Sequence, residues 1–420
     1  MLRAKTKYSW ERFGGDCAGG FIAALIALPY GLSMATLMGL PPILGVFTSV
    51  ISTPFVVLLG RNSLLMGGTA SATVPFISSA VRAQGIAGAA KISIVASVFM
   101  MCFCIMRLGR QVSRVPIAVV AGFSAGIGAL MVISQLPIML GVHQTASEIP
   151  VVELAASLSQ ITQAHWLPFV LSCTVIAAAF ICTRISHRIP APLIGVIVSF
   201  LVALLLHSHE PEVGSLQLAM PQFAGFSWTS HDVVNLLPSG LMLAFVSSVN
   251  LLLTSRTIEH FQGRHKPLLR ADSDAEVGAY GIANLAVGIF GAPMSVGIPA
   301  RSVAAIRCGA TTRFANVIHA VLLLVFVRYG SSVLAHIPMA ALAGVTTYMG
   351  ISLLDIGTWR RLRQMHFIDA ASFLITVVGV LVSNAVTAVI AGAGIYVLRY
   401  VYKRYLHPMS FEAGAADRAA

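Results

Sequence analysis

Long apolar runs separated by short polar stretches set the pattern of this chain. A helix needs about 20 apolar residues to cross the hydrocarbon core of a bilayer. Runs of that size predict spans near 15–38, 41–60, 87–108, 116–140, 166–183, 190–208, 235–257, 274–291, 313–330, 334–355, 367–384 and 385–404. Two shorter apolar stretches, near 68–82 and 298–309, are interrupted by Gly and Pro. Counting both gives about fourteen segments. The pattern predicts an all-α polytopic membrane protein, with 1–12 as an N-terminal segment, 13–405 as the transmembrane transport domain and 406–420 as a polar tail. Residues 151–164 read as amphipathic, lying along the interface or in an outer loop.

The two short segments each stand third in their half of the chain. One reads Ser63-Leu-Leu-Met-Gly-Gly-Thr-Ala-Ser-Ala-Thr-Val-Pro75, the other Ala292-Pro-Met-Ser-Val-Gly-Ile-Pro-Ala-Arg-Ser-Val303. Each has a few residues suited to extended backbone, then Gly, then a small-residue helix start. The expectation is short strands near 63–67 and 293–297 that lead into half-helices three and ten. An odd number of segments per half inverts the second half, giving two inverted seven-segment repeats, 13–208 and 233–405. Inverted repeats with discontinuous helices place a transporter's site at the membrane midplane. The first half-helix would run outward from near Gly68 and the second inward from near Pro299. Free N–H groups and about half a positive charge gather at each N-terminus. Two such ends facing each other in mid-membrane make an anion trap. The plainer alternative is a pair of ordinary helices kinked by Gly and Pro, which membrane helices tolerate. The matching positions favour the broken helices.

Arg301 sharpens this reading. It follows the second helix start at membrane depth, where burying a charge costs about 3 kcal/mol or more. The fifteen carboxylates fall at span ends, in loops or in tails, with Asp16 and Asp369 closest to a membrane edge. A bound anion would supply the missing negative partner. The bland alternative is an arginine that snorkels to a surface or bonds carbonyls.

Composition agrees with lipid as the solvent: 57% of residues are hydrophobic and 10% charged, against about 25% charged in soluble domains. The net charge of +12 does not read as nucleic-acid binding, because no basic and aromatic face forms. The basic residues instead cluster in alternate loops: Arg3, Lys5, Lys7 and Arg12; Arg107, Arg110 and Arg114; Arg184 and Arg188; Arg256, Arg264, Lys266 and Arg270; Arg360, Arg361 and Arg363; Arg399, Lys403 and Arg404. That alternation predicts an even number of crossings with both termini cytoplasmic, Arg82 and Arg328 being exceptions. The six cysteines have no zinc or disulfide spacing. No cofactor signature, His-Glu-x-x-His, Gly-x-Ser-x-Gly or paired aspartate pattern occurs. His319 and His336 stand alone, and an intramembrane enzyme is the weakest of the readings.

Several blocks then resemble the SulP family of anion transporters and permeases. They are Asp16-Cys-Ala-Gly19, Leu28-Pro-Tyr-Gly-Leu-Ser-Met-Ala35, Gly39-Leu-Pro-Pro42, Gly60-Arg-Asn-Ser63 with Gly68-Thr-Ala70, Gly122-Phe-Ser-Ala-Gly126, Gly281-Ile-Ala-Asn-Leu285, Ala300-Arg-Ser302 and Gly309-Ala-Thr-Thr312. The resemblance implies intertwined inverted repeats divided into core and gate domains, with a substrate between segments three and ten. Mapped by position, it implies Tyr30 and Ser33 on the first segment, Thr69, Ala70 and Ser71 on the third, Asn250 on the eighth, and Ala300, Arg301 and Ser302 on the tenth. Three departures stand out: Tyr30 where Gln is common, Asn250-Leu-Leu-Leu253 where many members carry a carboxylate, and Ala300 where Ser is usual. Most members also end in a cytoplasmic STAS domain, and the residues after the last span here do not read as one. The expected function is secondary transport of a small inorganic or carboxylate anion, of the sulfate, bicarbonate, chloride or dicarboxylate class. The expected partners are that anion, the bilayer and a second copy in a homodimer. A channel-like anion conductor and a nucleobase transporter of the same fold are the alternatives, the latter typically needing buried carboxylates.

Overall fold

The computed structural model describes residues 9–109, 116–142, 149–186, 190–206, 210–212, 228–261, 270–354, 356–383 and 385–406. Parts of the basic clusters, including Arg3, Lys5, Lys7, Arg110, Arg114, Arg188, Arg264 and Lys266, lie outside them, as does the tail.

In hydrocarbon a backbone must satisfy its own N–H and C=O groups, so the apolar runs become helices. In chain order these are α1 Trp10–Leu37, α2 Pro42–Leu59, α3 Val74–Ile105, α4 Ile117–Leu140, α5 Pro150–Ser159, α6 Trp166–Ile185, α7 Ala191–Leu205 and α8 Ser230–Phe261. There follow α9 Arg270–Ile289, α10 Pro299–Arg307, α11 Phe314–Ala335, α12 Met339–Leu353, α13 Ile356–Arg361, α14 Phe367–Val382 and α15 Ala385–Leu406. Among the described residues, eight helical segments are long and apolar enough to cross a membrane. The amphipathic stretch forms α5 and a short 3₁₀ turn at Ile161–Gln163, packed on α4.

α3 is two helices end to end. Gln84 (φ −140°, ψ 15°) and Gly85 (φ 62°, ψ −149°) interrupt it. The backbone of Gly85 is one that a side chain resists, so glycine sets the boundary between the short third segment and the span after it. Lys91, just past the break, is buried and donates to Gln84 Oε1 at 3.1 Å.

Two short strands precede the half-helices. β1 (Gly67–Thr69) and β2 (Ser295–Gly297) pair antiparallel in the register Gly67↔Gly297, Gly68↔Val296 and Thr69↔Ser295. β2 falls within the expected stretch, whereas β1 starts at the end of its own. Asn62 Oδ1 accepts from Leu64 N at 3.3 Å, which curls the chain there and delays the strand. One residue, Ala70 or Ile298, separates each strand from the following helix start at Ser71 or Pro299. The two half-helices run in opposite directions. The end of α10 meets the start of α1, where Asp16 accepts from Thr311 N (2.7 Å), Thr312 N (3.0 Å) and the Thr312 hydroxyl. The half-helix after Ser71 runs toward the other face, where a Cβ on Gly39, just past α1, would lie 3.3 Å from Val81 Cγ1.

Packing divides the helices into two groups. The first, a core, joins α1, α2, α3, α8, α9, α10 and α11 around the strand pair. The second, a gate, joins α4, α6, α7, α12, α14 and α15. α1 is the main bridge, touching α12 and α7.

Candidate functional site

The extended segment 60–69 is held by side chains from the surrounding helices. Glu276 of α9 accepts from Arg61 N (2.5 Å) and Asn62 N (3.0 Å). Asn62 Nδ2 donates to Ser255 O and Oγ, each at 3.1 Å. Asn316 of α11 donates to Leu65 O at 3.2 Å. Asn284 grips the free edge of β2, accepting from Ser295 N (2.7 Å) and donating to Ser295 O (2.9 Å). These contacts replace the neighbouring strands that a two-stranded ribbon in a membrane lacks. Glu276 and Asp16 sit at helix ends, as the pattern implies, yet both are fully buried. Their task is to accept backbone N–H groups. Sequence alone offered no sign of this, because the partners are far away in the chain.

So held, the two helix starts point into one cavity of about 290 Å³ between core and gate. Of the residues expected at the site, Tyr30, Ala70, Ser71, Asn250 and Ala300 line it. Ser71 approaches the Tyr30 hydroxyl. Asn250 Oδ1 accepts from the Thr254 hydroxyl at 3.3 Å, which leaves its amide N–H groups for the cavity.

The other four do not line the cavity, and each has a different contact. Thr69 donates to Gly45 O at 3.1 Å and fixes β1 on α2. Ser302 accepts from Met66 N and donates to Ile298 O, each at 2.9 Å, tying α10 to the chain before β1. Ser33 donates to Leu342 O at 3.0 Å and pairs with Thr346, joining α1 to α12.

Arg301 is wholly buried behind the strands. It donates to Ser49 Oγ (2.8 Å) and Gly67 O (3.3 Å), and its Cζ lies 5.5 Å from the centroid of the Tyr30 ring. A cation over an aromatic face at that distance is attracted by the ring's negative face. Tyr30 therefore touches the cavity and the guanidinium together. Arg301 Nε and Nη2 have no hydrogen-bond partner among the described residues, nor do the Tyr280 hydroxyl and the ring nitrogens of His319 nearby. Among the described residues no carboxylate pairs with the guanidinium.

Sequence reasoning missed the gate wall. Val119, Phe123 and Ser124 of α4 and Met349 and Leu353 of α12 face the helix starts across the cavity. Phe123 and Ser124 belong to the Gly122-Phe-Ser-Ala-Gly126 block, which was the available signal. These residues come from the first turns of α4 and the last turns of α12. The cavity thus occupies the half of the seam nearer the face that carries residue 10. In the other half, the Ser33 contacts with α12 close the seam.

A family model described as the sulfate permease family matches residues 13–398. A putative sulfate transporter, YvdB of Bacillus subtilis, is 24% identical over 96% of this chain and 78% of its own length. A bicarbonate transporter, BicA of Picosynechococcus sp., is 26% identical over 94% of this chain and 71% of its own. Among solved structures, the transmembrane domain of a cyanobacterium bicarbonate transporter BicA superposes with a TM-score of 0.80 at 24% identity, covering 92% of this chain and 98% of that one.

Proposed function

The chain belongs to the sulfate permease family, and from that premise we propose that it carries a small anion across a membrane by alternating access. The anion rests at the facing N-termini of the two half-helices. The observation that carries this reading is the pair of oppositely directed, strand-led helix starts that end in one cavity between core and gate. Free N–H groups of Ala72 and Ala300, the Ser71 hydroxyl, the Asn250 amide and the Tyr30 hydroxyl supply donors, and the guanidinium of Arg301 supplies positive potential through the Tyr30 ring. Transport proceeds by a shift of the core against the gate, which opens the seam at Ser33 and α12 and closes it at Phe123 and Leu353.

The face with residue 10 is the cytoplasmic one in this proposal, and both termini lie there. Arg107, Arg184, Arg256, Arg360, Arg361 and Arg363 support that orientation, because basic residues collect on cytoplasmic loops. Among the described residues no carboxylate lines the cavity, which weighs against a nucleobase substrate.

The test is purified protein in liposomes, with uptake of labelled sulfate, bicarbonate and fumarate measured with and without imposed ion gradients. Saturable, protein-dependent uptake of an anion is the expected outcome. Uptake that never saturates would favour a channel-like conductor, and no uptake of any anion would refute the proposal.

A further inference from the structure

We propose that the preferred substrate is a short-chain monocarboxylate, an anion with one charged end and an apolar body. This deepens the transport reading given above and rests on it.

The cavity has a polar patch on the core and an apolar lining over the rest, the α8 residues Phe245 and Val249 included. The core wall offers the helix starts, Ser71, the Tyr30 hydroxyl and Asn250. The remainder is hydrocarbon or aromatic, including Val119, Phe123, Phe245, Val249, Met349 and Leu353. Among the described residues, Ser124 is the one hydroxyl that lines the cavity from the gate, and no charged side chain lines it. A tetrahedral oxyanion presents oxygens in every direction. At the helix starts, part of it would face the hydrocarbon wall, and a polar group buried without a hydrogen-bond partner is disfavoured. A carboxylate sends its oxygens one way and its carbon chain the other, which matches one polar patch set in an apolar lining.

Charge points to the same class. Each helix N-terminus carries about half a positive charge, so the facing pair amounts to roughly one. That neutralises a monoanion and leaves a dianion half-compensated. Arg301 adds positive potential at a distance but gives a second charge no direct partner, because the guanidinium lies behind the strand pair with Tyr30 standing between it and the cavity. Bicarbonate has the right charge, but its hydroxyl end would face the hydrocarbon wall.

Chain length gives the test. Each methylene moved from water onto an apolar wall strengthens binding by about fourfold, the equivalent of about 0.8 kcal/mol. Thermal unfolding of the detergent-purified protein is followed while sodium formate, acetate, propionate, butyrate, sulfate and bicarbonate are titrated at constant ionic strength. Uptake of labelled butyrate and sulfate into proteoliposomes is measured above protein-free vesicles. The expected result is a dissociation constant that falls two- to fourfold per methylene from formate to butyrate, with sulfate and bicarbonate weaker than butyrate. Val249→Ser and Phe123→Ser, on opposite walls, should each flatten the series. A flat series in the native protein, or sulfate or bicarbonate binding tighter than butyrate, overturns this inference and leaves anion transport standing. If no anion binds or moves, the transport reading falls first.

Discussion

The two strand-led units share a backbone plan and differ in what stands one turn into the helix. In the unit that follows β1, Thr73 holds that place, and its hydroxyl donates to Ala70 O at 2.8 Å. In the unit that follows β2 it is Arg301, which reaches back across the ribbon to Ser49 and Gly67. The first half-helix ends at the Gln84–Gly85 break and the second at Arg307, and a longer helix follows each. An anion between them meets two similar dipoles but only one guanidinium. The backbone supplies a symmetric binding geometry, and a single side chain makes the field lopsided.

The sharpest way to break that comparison is to remove the lopsidedness. Arg301→Ala should lower transport about tenfold, the scale of a unit charge acting on the anion across several ångström of partly buried protein rather than by contact. The protein should still elute as one folded species on size exclusion. Arg301→Lys should restore little, because a compact ammonium cannot both stack on the Tyr30 ring as the planar guanidinium does and reach Ser49 and Gly67. Uptake equal to the native rate in the Ala variant would remove Arg301 from the site.

A second pair of changes compares the strands themselves. A Cβ on Gly68 would stand 2.3 Å from Arg301 Nη1 and 2.7 Å from Ser49 Oγ, whereas one on Gly297 would meet the Leu65 side chain at 2.7 Å. The guanidinium is pinned by its hydrogen bonds and cannot yield without losing them, while Leu65 has other rotamers. Gly68→Ala should therefore cost about 1–3 kcal/mol of stability by overpacking and reduce transport with it. Gly297→Ala should cost less on both counts. Thermal unfolding and uptake measured side by side decide this, and equal losses would contradict it.

Ser302→Ala should cost about 1–3 kcal/mol by leaving Met66 N unsatisfied. It should lower the unfolding temperature while the KM for the anion stays near native, since Ser302 does not line the cavity. A large change in KM would move Ser302 into the binding site.

The smallest expected effect is on coupling. Among the described residues that line the cavity there is no carboxylate, histidine or lysine. Uptake at a fixed anion gradient should therefore change little as the imposed pH difference is varied. A steep dependence that Asn250 variants leave untouched, and that Glu276→Gln or His319→Gln abolishes, would place coupling in the core behind the strands.

Much of the plan was legible along the chain, for identifiable reasons. Apolar runs gave the spans, because spanning helices in lipid declare their length in composition. Paired Gly and Pro interruptions gave the two broken helices, because they recur at matching places. Tyr30, Ser71, Asn250 and Ala300 were found through local pattern and resemblance, and they line the cavity. The tertiary structure alone decided which way Arg301 points, and that Ser33 closes a seam. It also decided that Thr69 and Ser302 hold the strand unit together, and that Phe123, Met349 and Leu353 form the opposite wall. Periodicity reports whether a position favours lipid or protein. It does not report which distant segment will stand across from it, and a site between two packed helix groups is made of just such long-range encounters.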